Sequence, residues 1–264
     1  MENFSYHRPA KVADAVKAMK KAKDGKFMSG GMTLLPAIKL GLASPSDVID
    51  LSGIKSSGAT VSAKSVKVKA GTTHAEVAAD KAVKKAIAAL AVLASGIGDP
   101  HVRNRGTIGG SIANNDPAAD YPAAAVGLGA TIHTSERKIP ADKFFTGMFT
   151  TALKSNEVVT AVEFPLPAKA GYAKFPNPAS RYAMVGVFVA KLKDGSVRVA
   201  VTGAGPGVFR VPEMEAALAK NFSAKALAGI AVKSKGLNAD IHASAAYRAH
   251  LIGVMARRAV EMAK

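Results

Sequence analysis

Two glycine-bearing segments constrain this chain more than any other feature of its sequence. The first is Ser29-Gly30-Gly31-Met32-Thr33-Leu34-Leu35-Pro36. The second is Arg103-Asn104-Arg105-Gly106-Thr107-Ile108-Gly109-Gly110-Ser111, running on through Ile112-Ala113-Asn114-Asn115-Asp116-Pro117. Paired glycines let a backbone approach another group closely and adopt angles closed to other residues. Successive amide N–H groups at such a turn make a seat for an anionic phosphate. The second segment adds hydroxyls at Thr107 and Ser111 and side-chain amides at Asn114 and Asn115. Neither segment is a Walker loop, because no Gly-Lys-Ser/Thr follows, and neither contains the Rossmann pattern Gly-x-Gly-x-x-Gly. Either one alone is weak evidence, and Gly-Gly before a helix is more often simply a turn. Together they suit a diphosphate held from two sides, as in a dinucleotide bound by a non-Rossmann fold.

The rest of the composition narrows the class. The chain has 264 residues, 48% hydrophobic and 21% charged, which is enough for one large domain or two modest ones with a real core. It has no cysteine, so disulfides, cysteine-held iron–sulfur clusters and a cysteine nucleophile are excluded from this chain. No apolar run opens the sequence, and the most apolar stretch, 86–97, falls short of the roughly 20 residues a bilayer crossing needs. A cytoplasmic, soluble protein is expected. The formal net charge is +17, with six lysines between Lys11 and Lys26 in a helix-like stretch. That excess suits a solvated basic surface, an acidic partner or peripheral contact with an acidic membrane face. No nucleic-acid module accompanies it, so nucleic acid is not expected as a partner.

Along the chain, apolar spacing predicts an amphipathic helix over 13–23, with Val12, Ala15, Val16 and Met19 on one side. A strand at 26–28, a helix at 34–40 and a strand at 47–51 complete a small β-turn-α-β unit. Strands at 59–62 and 65–70 flank a turn, and Thr73 with Glu76 forms a capping box at a helix start. A helix is expected over 83–95. The stretch 96–122, rich in Gly, Asn, Asp and Pro, reads as one long irregular loop of the kind that carries function. Strands follow near 130–134 and 157–164. Gly171, Pro176 and Pro178 mark 169–180 as a domain boundary. Beyond it come a hairpin around Asp194-Gly195 and helices at 212–220, 224–233 and 243–262. The last carries Tyr247, Leu251, Met255, Ala259 and Met262 on one stripe.

Taken together, the two segments resemble the FAD-binding medium subunit of the molybdenum hydroxylases, the group that includes aerobic carbon monoxide dehydrogenase and xanthine dehydrogenase. That family carries Ala-Gly-Gly-x-Ser-Leu-Leu-Pro and, about 75 residues later, Arg-Asn-x-Gly-Thr-Ile-Gly-Gly; here Gly30 and Gly109 are 79 positions apart. Tyr6-His7-Arg8-Pro9, Val48-Ile49-Asp50-Leu51, Gly71-Thr72-Thr73-His74, Asp116-Pro117-Ala118-Ala119-Asp120, Val201-Thr202-Gly203-Ala204-Gly205, Tyr247-Arg248 and Arg257-Arg258-Ala259 extend the resemblance over nearly the whole chain. The resemblance implies an α+β chain. A vanillyl-alcohol-oxidase-like (PCMH-type) FAD-binding domain of two α/β subdomains would span 1–175, divided at about 55. A C-terminal α+β domain with a small antiparallel sheet would span 176–264.

The same resemblance implies non-covalent FAD. Ser29, Gly30, Gly31, Met32, Thr33 and Leu34, with Thr107, Ile108, Gly109, Gly110 and Ser111, would hold the pyrophosphate and ribose. Asn115 and Asp116 follow the second cradle, Asp120 would hydrogen-bond the cofactor, Tyr182 would lie near the isoalloxazine ring, and Lys174 would reach its polar edge. Two departures stand out. Ser29 replaces the family's usual Ala, and Met32 replaces its His, Gln or Thr, which removes a side-chain hydrogen bond at that position. The implied partners are a large subunit with the molybdenum cofactor and a small subunit with [2Fe–2S] clusters, as a dimer of heterotrimers. Electrons would leave FAD to NAD, a quinone or oxygen, and no residue of this chain would be catalytic. Two other classes remain to be weighed: a self-sufficient flavin oxidase or dehydrogenase, and a colourless nucleic-acid-binding module. No His-x-x-x-His pair suggests zinc, and no Ser–His–Asp partnership suggests a hydrolase. His74 reads as a helix-start residue and His101 as a loop residue.

Overall fold

Parallel pairing organises the first part of the chain, in a computed structural model that describes residues 2–264. Ser5–His7, Asp47–Asp50 and Gly25–Met28 form a three-stranded parallel sheet with Asp47–Asp50 in the middle. The helix Val12–Lys21 crosses between the first two strands in sequence and buries Ala15 and Met19 against Ile49. Three lysines on its opposite side stay in water, as the sequence pattern requires. The strand Ser5–His7 has no counterpart among the sequence expectations. Three residues carry too little alternation to be read as a strand, and the side chains of Tyr6 and His7 anchor it through Asp50 and Asp47.

The second part is built on a five-stranded antiparallel sheet. Its spatial order is Ala59–Val61, Ser65–Lys69, Val159–Pro165, Thr131–Thr134 and Lys138–Pro140. The long loop expected at 96–122 instead holds two short helices, Pro100–Arg105 and Ile108–Asn114, and runs into a third, Tyr121–Gly127. Caps and burial overcome the poor helix propensity of glycine. The Asp99 carboxylate accepts from Val102 N, Thr107 Oγ1 accepts from Gly110 N, and Ile108 and Ile112 enter the core. The helix expected over 83–95 is likewise two, Lys81–Ala86 and Ala88–Ser95, broken at buried Ile87. The capping box at Thr73 and Glu76 is present.

The third sheet is antiparallel, in the order Pro167–Pro176, Ala183–Leu192, Val197–Thr202 and Phe209–Arg210. The boundary read at 169–180 is therefore a strand as far as Pro176, followed by a turn. Its prolines lie at the ends of an edge strand, where no ladder hydrogen bond is lost. Alternation puts Val185, Val187 and Val189 on one face, against Ala245–Met262 and Pro212–Lys220, and Phe188 and Ala190 on the other, against the helices of the second part. Burying Phe188 there contributes roughly 1.5–3 kcal/mol. The helix expected over 224–233 is only a turn, Ala224–Leu227. In the last helix the middle of the expected stripe, Leu251, Met255 and Ala259, is buried, while Tyr247 and Met262 at its ends are exposed.

Candidate functional site

Between the parallel-sheet part and the second part lies a cavity of about 1190 Å³. Typical small-molecule sites occupy about 300–1,000 Å³, so this one accommodates an extended ligand. Its walls come from the first glycine segment, from 106–120, from 154–160 and, at one end, from Ser180, Arg181 and Tyr182 of the third sheet.

The two glycine segments meet in this cavity and touch. Thr107 Oγ1 donates to Ser29 Oγ at 3.0 Å across 78 positions of sequence. Gly30 packs against the Arg105 carbonyl so closely that a Cβ would overlap it, and a Cβ on Gly109 would come to 2.5 Å from Ala70 Cβ. Both glycines are needed for backbone to approach backbone. In the second segment the amides are already engaged. Ile108 N donates to Thr72 O at 3.0 Å, Gly109 N to Ala70 O at 2.9 Å, Gly110 N to Thr107 Oγ1 at 3.1 Å, and Ser111 N to Thr107 O at 3.0 Å. The first segment differs. Gly31 has φ +76°, and the amides of Gly30, Gly31, Met32 and Thr33 donate to no acceptor among the described residues. The seat for an anion is therefore one-sided: free amides from 30–33, with hydroxyls and a rigid wall from 107–111.

Thirteen of the sixteen candidate residues line the cavity: Ser29, Gly30, Gly31, Met32, Thr33, Leu34, Thr107, Gly109, Gly110, Ser111, Asp116, Asp120 and Tyr182. Ile108 does not, being fully buried in the core. Asn115 does not either. It takes the left-handed conformation (φ 45°) that ends the helix, and its Nδ2 donates to Gly147 O at 2.8 Å and Thr150 O at 2.7 Å. Asn114 lines the cavity in its place, because it lies three and four residues beyond Ser111 and Gly110 on the same helix face. Lys174 is also absent from the wall. Its ammonium donates to Gly96 O at 2.7 Å and Arg181 O at 3.0 Å, and pairs with Asp120 at 2.9 Å. Lys174 is a tie between three segments rather than a group reaching into the cavity.

Asp120 also accepts from Tyr172 Oη at 2.5 Å. Burial pushes its carboxyl pKa up, and the Lys174 charge and the Tyr172 hydrogen bond offset part of that. Glu157, on another wall, is pulled up by burial but brought down to about 2 by hydrogen bonds from Arg137, Thr134 and Lys154 N and by the Arg137 charge. Asp24 is paired with Lys26 at 3.3 Å. The wall's acids are thus largely matched, while Lys20, Lys23 and Arg181 form no ion pair among the described residues. The balance favours an anionic ligand. Neither His74 nor the 154–160 wall is legible in the sequence as part of a cavity. His74 was legible only as a helix-start residue, and its backbone N–H, donating to Gly106 O at 3.0 Å, is what sets the ring on the cavity.

Comparison with known proteins agrees with this architecture. A family profile described as "FAD binding domain in molybdopterin dehydrogenase" matches residues 2–167, and one described as "CO dehydrogenase flavoprotein C-terminal domain" matches 170–263. The chain is 34% identical to the nicotine 6-hydroxylase medium subunit of Paenarthrobacter nicotinovorans, covering 97% of this chain and 95% of that one. It is 32% identical to the carbon monoxide dehydrogenase medium chain of Hydrogenophaga pseudoflava, covering 98% and 96%. Among solved structures, reconstituted CO dehydrogenase from Oligotropha carboxidovorans matches with TM-score 0.89 at 29% identity over 99% of this chain and 97% of that one. Quinoline 2-oxidoreductase from Pseudomonas putida 86 matches with TM-score 0.88 at 27% identity, covering 98% and 96%. With both of its halves matched and its relatives spanned almost end to end, the chain belongs to the FAD-binding medium subunits of the molybdenum hydroxylases.

Proposed function

We propose that this chain is the electron relay of a heteromeric molybdenum hydroxylase, taking electrons from iron–sulfur clusters of a small subunit and passing them through FAD to a terminal acceptor. The observation that carries the reading is the cavity where the two glycine segments touch, with four unengaged amides beside a basic rim. FAD, when bound, supplies one- and two-electron redox chemistry. The chain's own residues bind and orient it. Amides of Gly30, Gly31, Met32 and Thr33 would donate to phosphate oxygens, and the Ser111 hydroxyl would add a side-chain hydrogen bond, while Thr107, donating to Ser29, holds the two segments together. Asp120, fixed by Tyr172 and Lys174, would accept from the ligand along the inner wall. Tyr182, about half exposed, would stand at the cavity mouth beside the ring.

Substrate oxidation would belong to a large subunit with the molybdenum cofactor, and the assembly would be a dimer of heterotrimers in the cytoplasm. The acceptor would be NAD, a quinone or oxygen. No helix among the described residues is long and apolar enough to cross a membrane. The +17 charge would serve docking to an acidic partner or membrane face, weakening as salt rises. We place the domain division at about residue 166, where the third sheet begins.

A visible spectrum of the purified chain, with mass analysis of released cofactor, tests the reading. Yellow protein that bleaches only when partner subunits and their substrate are present is expected. Bleaching by an organic substrate with the chain alone would make it a self-sufficient flavin enzyme. A colourless protein that takes up no added FAD would end the flavin reading.

A further inference from the structure

His74 lies outside both glycine segments, and the role proposed above makes no use of it. It is 5% exposed, yet it lines the cavity. Its Nδ1 is shut off from solvent and has no hydrogen-bond partner among the described residues, and the same holds for the Tyr121 hydroxyl. The two rings are in contact, with centroids 5.4 Å apart and planes at 45°. Nε2 also makes no hydrogen bond to the described residues, and it lies over Gly106, where a Cβ would come to 2.6 Å from it. Buried polar atoms without partners are few in folded proteins, and a cluster of them beside a cavity needs an explanation.

Protonation state gives the cluster a direction. Burial, and next the nearby charge of Arg103, hold the His74 pKa down to about 4, so the ring is neutral near pH 7. A neutral imidazole has one donor nitrogen and one acceptor nitrogen, and the partner of one decides the state of the other. The Tyr121 hydroxyl, whose own pKa is raised by burial and by Asp120, keeps its proton and has one hydrogen to give. No hydrogen bond joins that hydroxyl to Nδ1, and no other acceptor among the described residues faces it; an N–H sealed there without an acceptor costs more than a sealed lone pair, so the proton of the imidazole sits on Nε2. The bland alternative is a core histidine that only fills space. It gives no role to Nε2, the ring nitrogen that is not sealed off and that has no partner among the described residues.

We propose, on the reading that the cavity holds FAD, that His74 is a cofactor-contacting residue whose Nε2–H donates to an acceptor atom of the bound dinucleotide. Tyr121 is a positioning residue only through its ring, which packs against the imidazole. Gly106 is glycine because a side chain there would displace the donor.

The test is FAD titration of the full chain, stripped of cofactor, followed by flavin fluorescence, for wild type, His74→Gln, His74→Leu and Tyr121→Phe. Gln keeps an N–H near the Nε2 position, whereas Leu keeps only bulk. Expected are at least tenfold weaker binding for His74→Leu, and binding within about threefold of wild type for His74→Gln and for Tyr121→Phe, which keeps the ring against the imidazole. Nitrogen-15 spectra of labelled histidine should show the Nε2–H tautomer at His74 in wild type and in Tyr121→Phe, and a shift of the His74 signals when FAD is added. Equal affinity of His74→Leu and wild type would overturn the contact. So would a Gln variant as poor as Leu with unchanged melting of both apoproteins, since bulk would then be the whole role. If His74→Leu does not fold, the wild-type spectra decide: His74 signals unmoved by FAD overturn the proposal. Wild type that takes up no FAD at all would remove the flavin reading, and this inference with it.

Discussion

The segments 29–34 and 107–111 look alike as sequence and differ as structure. In 107–111 each amide from Ile108 to Ser111 already has an acceptor within the chain, and Gly109 is pressed against Ala70. In 29–34 the amides of Gly30 to Thr33 have no acceptor among the described residues, and Gly31 holds a left-handed turn. One segment builds the wall and the other presents donors from it. The same Gly-Gly pair serves both ends because a missing Cβ permits close approach, whether the approaching group is backbone or ligand. The contrast makes a prediction about kind as well as size: changes on the building side register in stability, and changes on the presenting side register in ligand binding.

The largest expected effect is on the building side. Lys174→Met leaves the Asp120 carboxylate buried without its cation, which typically costs about 3–5 kcal/mol. For a chain of this size that is a fall in Tm of about 10 °C. Calorimetry of the apoprotein measures it, and an unchanged Tm would show that the tie between Gly96, Arg181 and Asp120 is dispensable. Next is Gly109→Ala. Its Cβ would sit 2.5 Å from Ala70 Cβ and 2.8 Å from Ala70 O, and overpacking of this kind costs about 1–3 kcal/mol. Denaturant unfolding of the apoprotein should show the loss. If Gly109→Ala keeps wild-type stability and loses only FAD, the contrast between the two segments is broken.

Titration sharpens the same contrast, because Glu157 and His74 both belong to the wall. Glu157 has a pKa of about 2 against an ordinary 4.5, so its contribution is present above pH 4.5 and is lost as pH falls toward 2. His74, at about 4 against 6.5, is neutral when folded. The unfolded chain binds the proton more readily, so stability falls as pH drops from 6.5 to 4. Acid unfolding should therefore begin near pH 6.5 and steepen below 4.5. Glu157→Gln should remove the steeper part, on the order of 1–2 kcal/mol once screening at half-exposed Arg137 is allowed for. An unchanged acid limb in Glu157→Gln would assign the steepening to other carboxylates.

What was legible beforehand follows the range of the interactions involved. The capping box at Thr73, the hairpin at Gly195 and the meeting of the two glycine segments rest on local chemistry or on a resemblance that spans the chain. The helices between 100 and 127 were hidden because glycine and proline argue against helix, while the opposing burial of Ile108 and Ile112 appears only in three dimensions. Lys174 turns away from the cavity for a similar reason. Its strand gives it a face, but its ammonium is held by carbonyls 78 positions upstream and 7 downstream. Asn114 and Asn115 differ by one residue of helical phase, and that single step moves an amide from the cavity to the hairpin behind it.

The smallest predicted effect is also the sharpest test of the presenting side. Met32 stands where the family's side-chain donors usually stand, and it is 38% exposed. If the seat is made of backbone amides, the side chain at 32 contributes little. Met32→Ala should then shift stability by less than about 0.5 kcal/mol, as surface changes usually do. It should also change FAD affinity by less than about threefold in the same fluorescence titration. A tenfold loss would mean that the thioether itself packs on the ligand, and that 29–34 holds it by side chains as well as by its backbone.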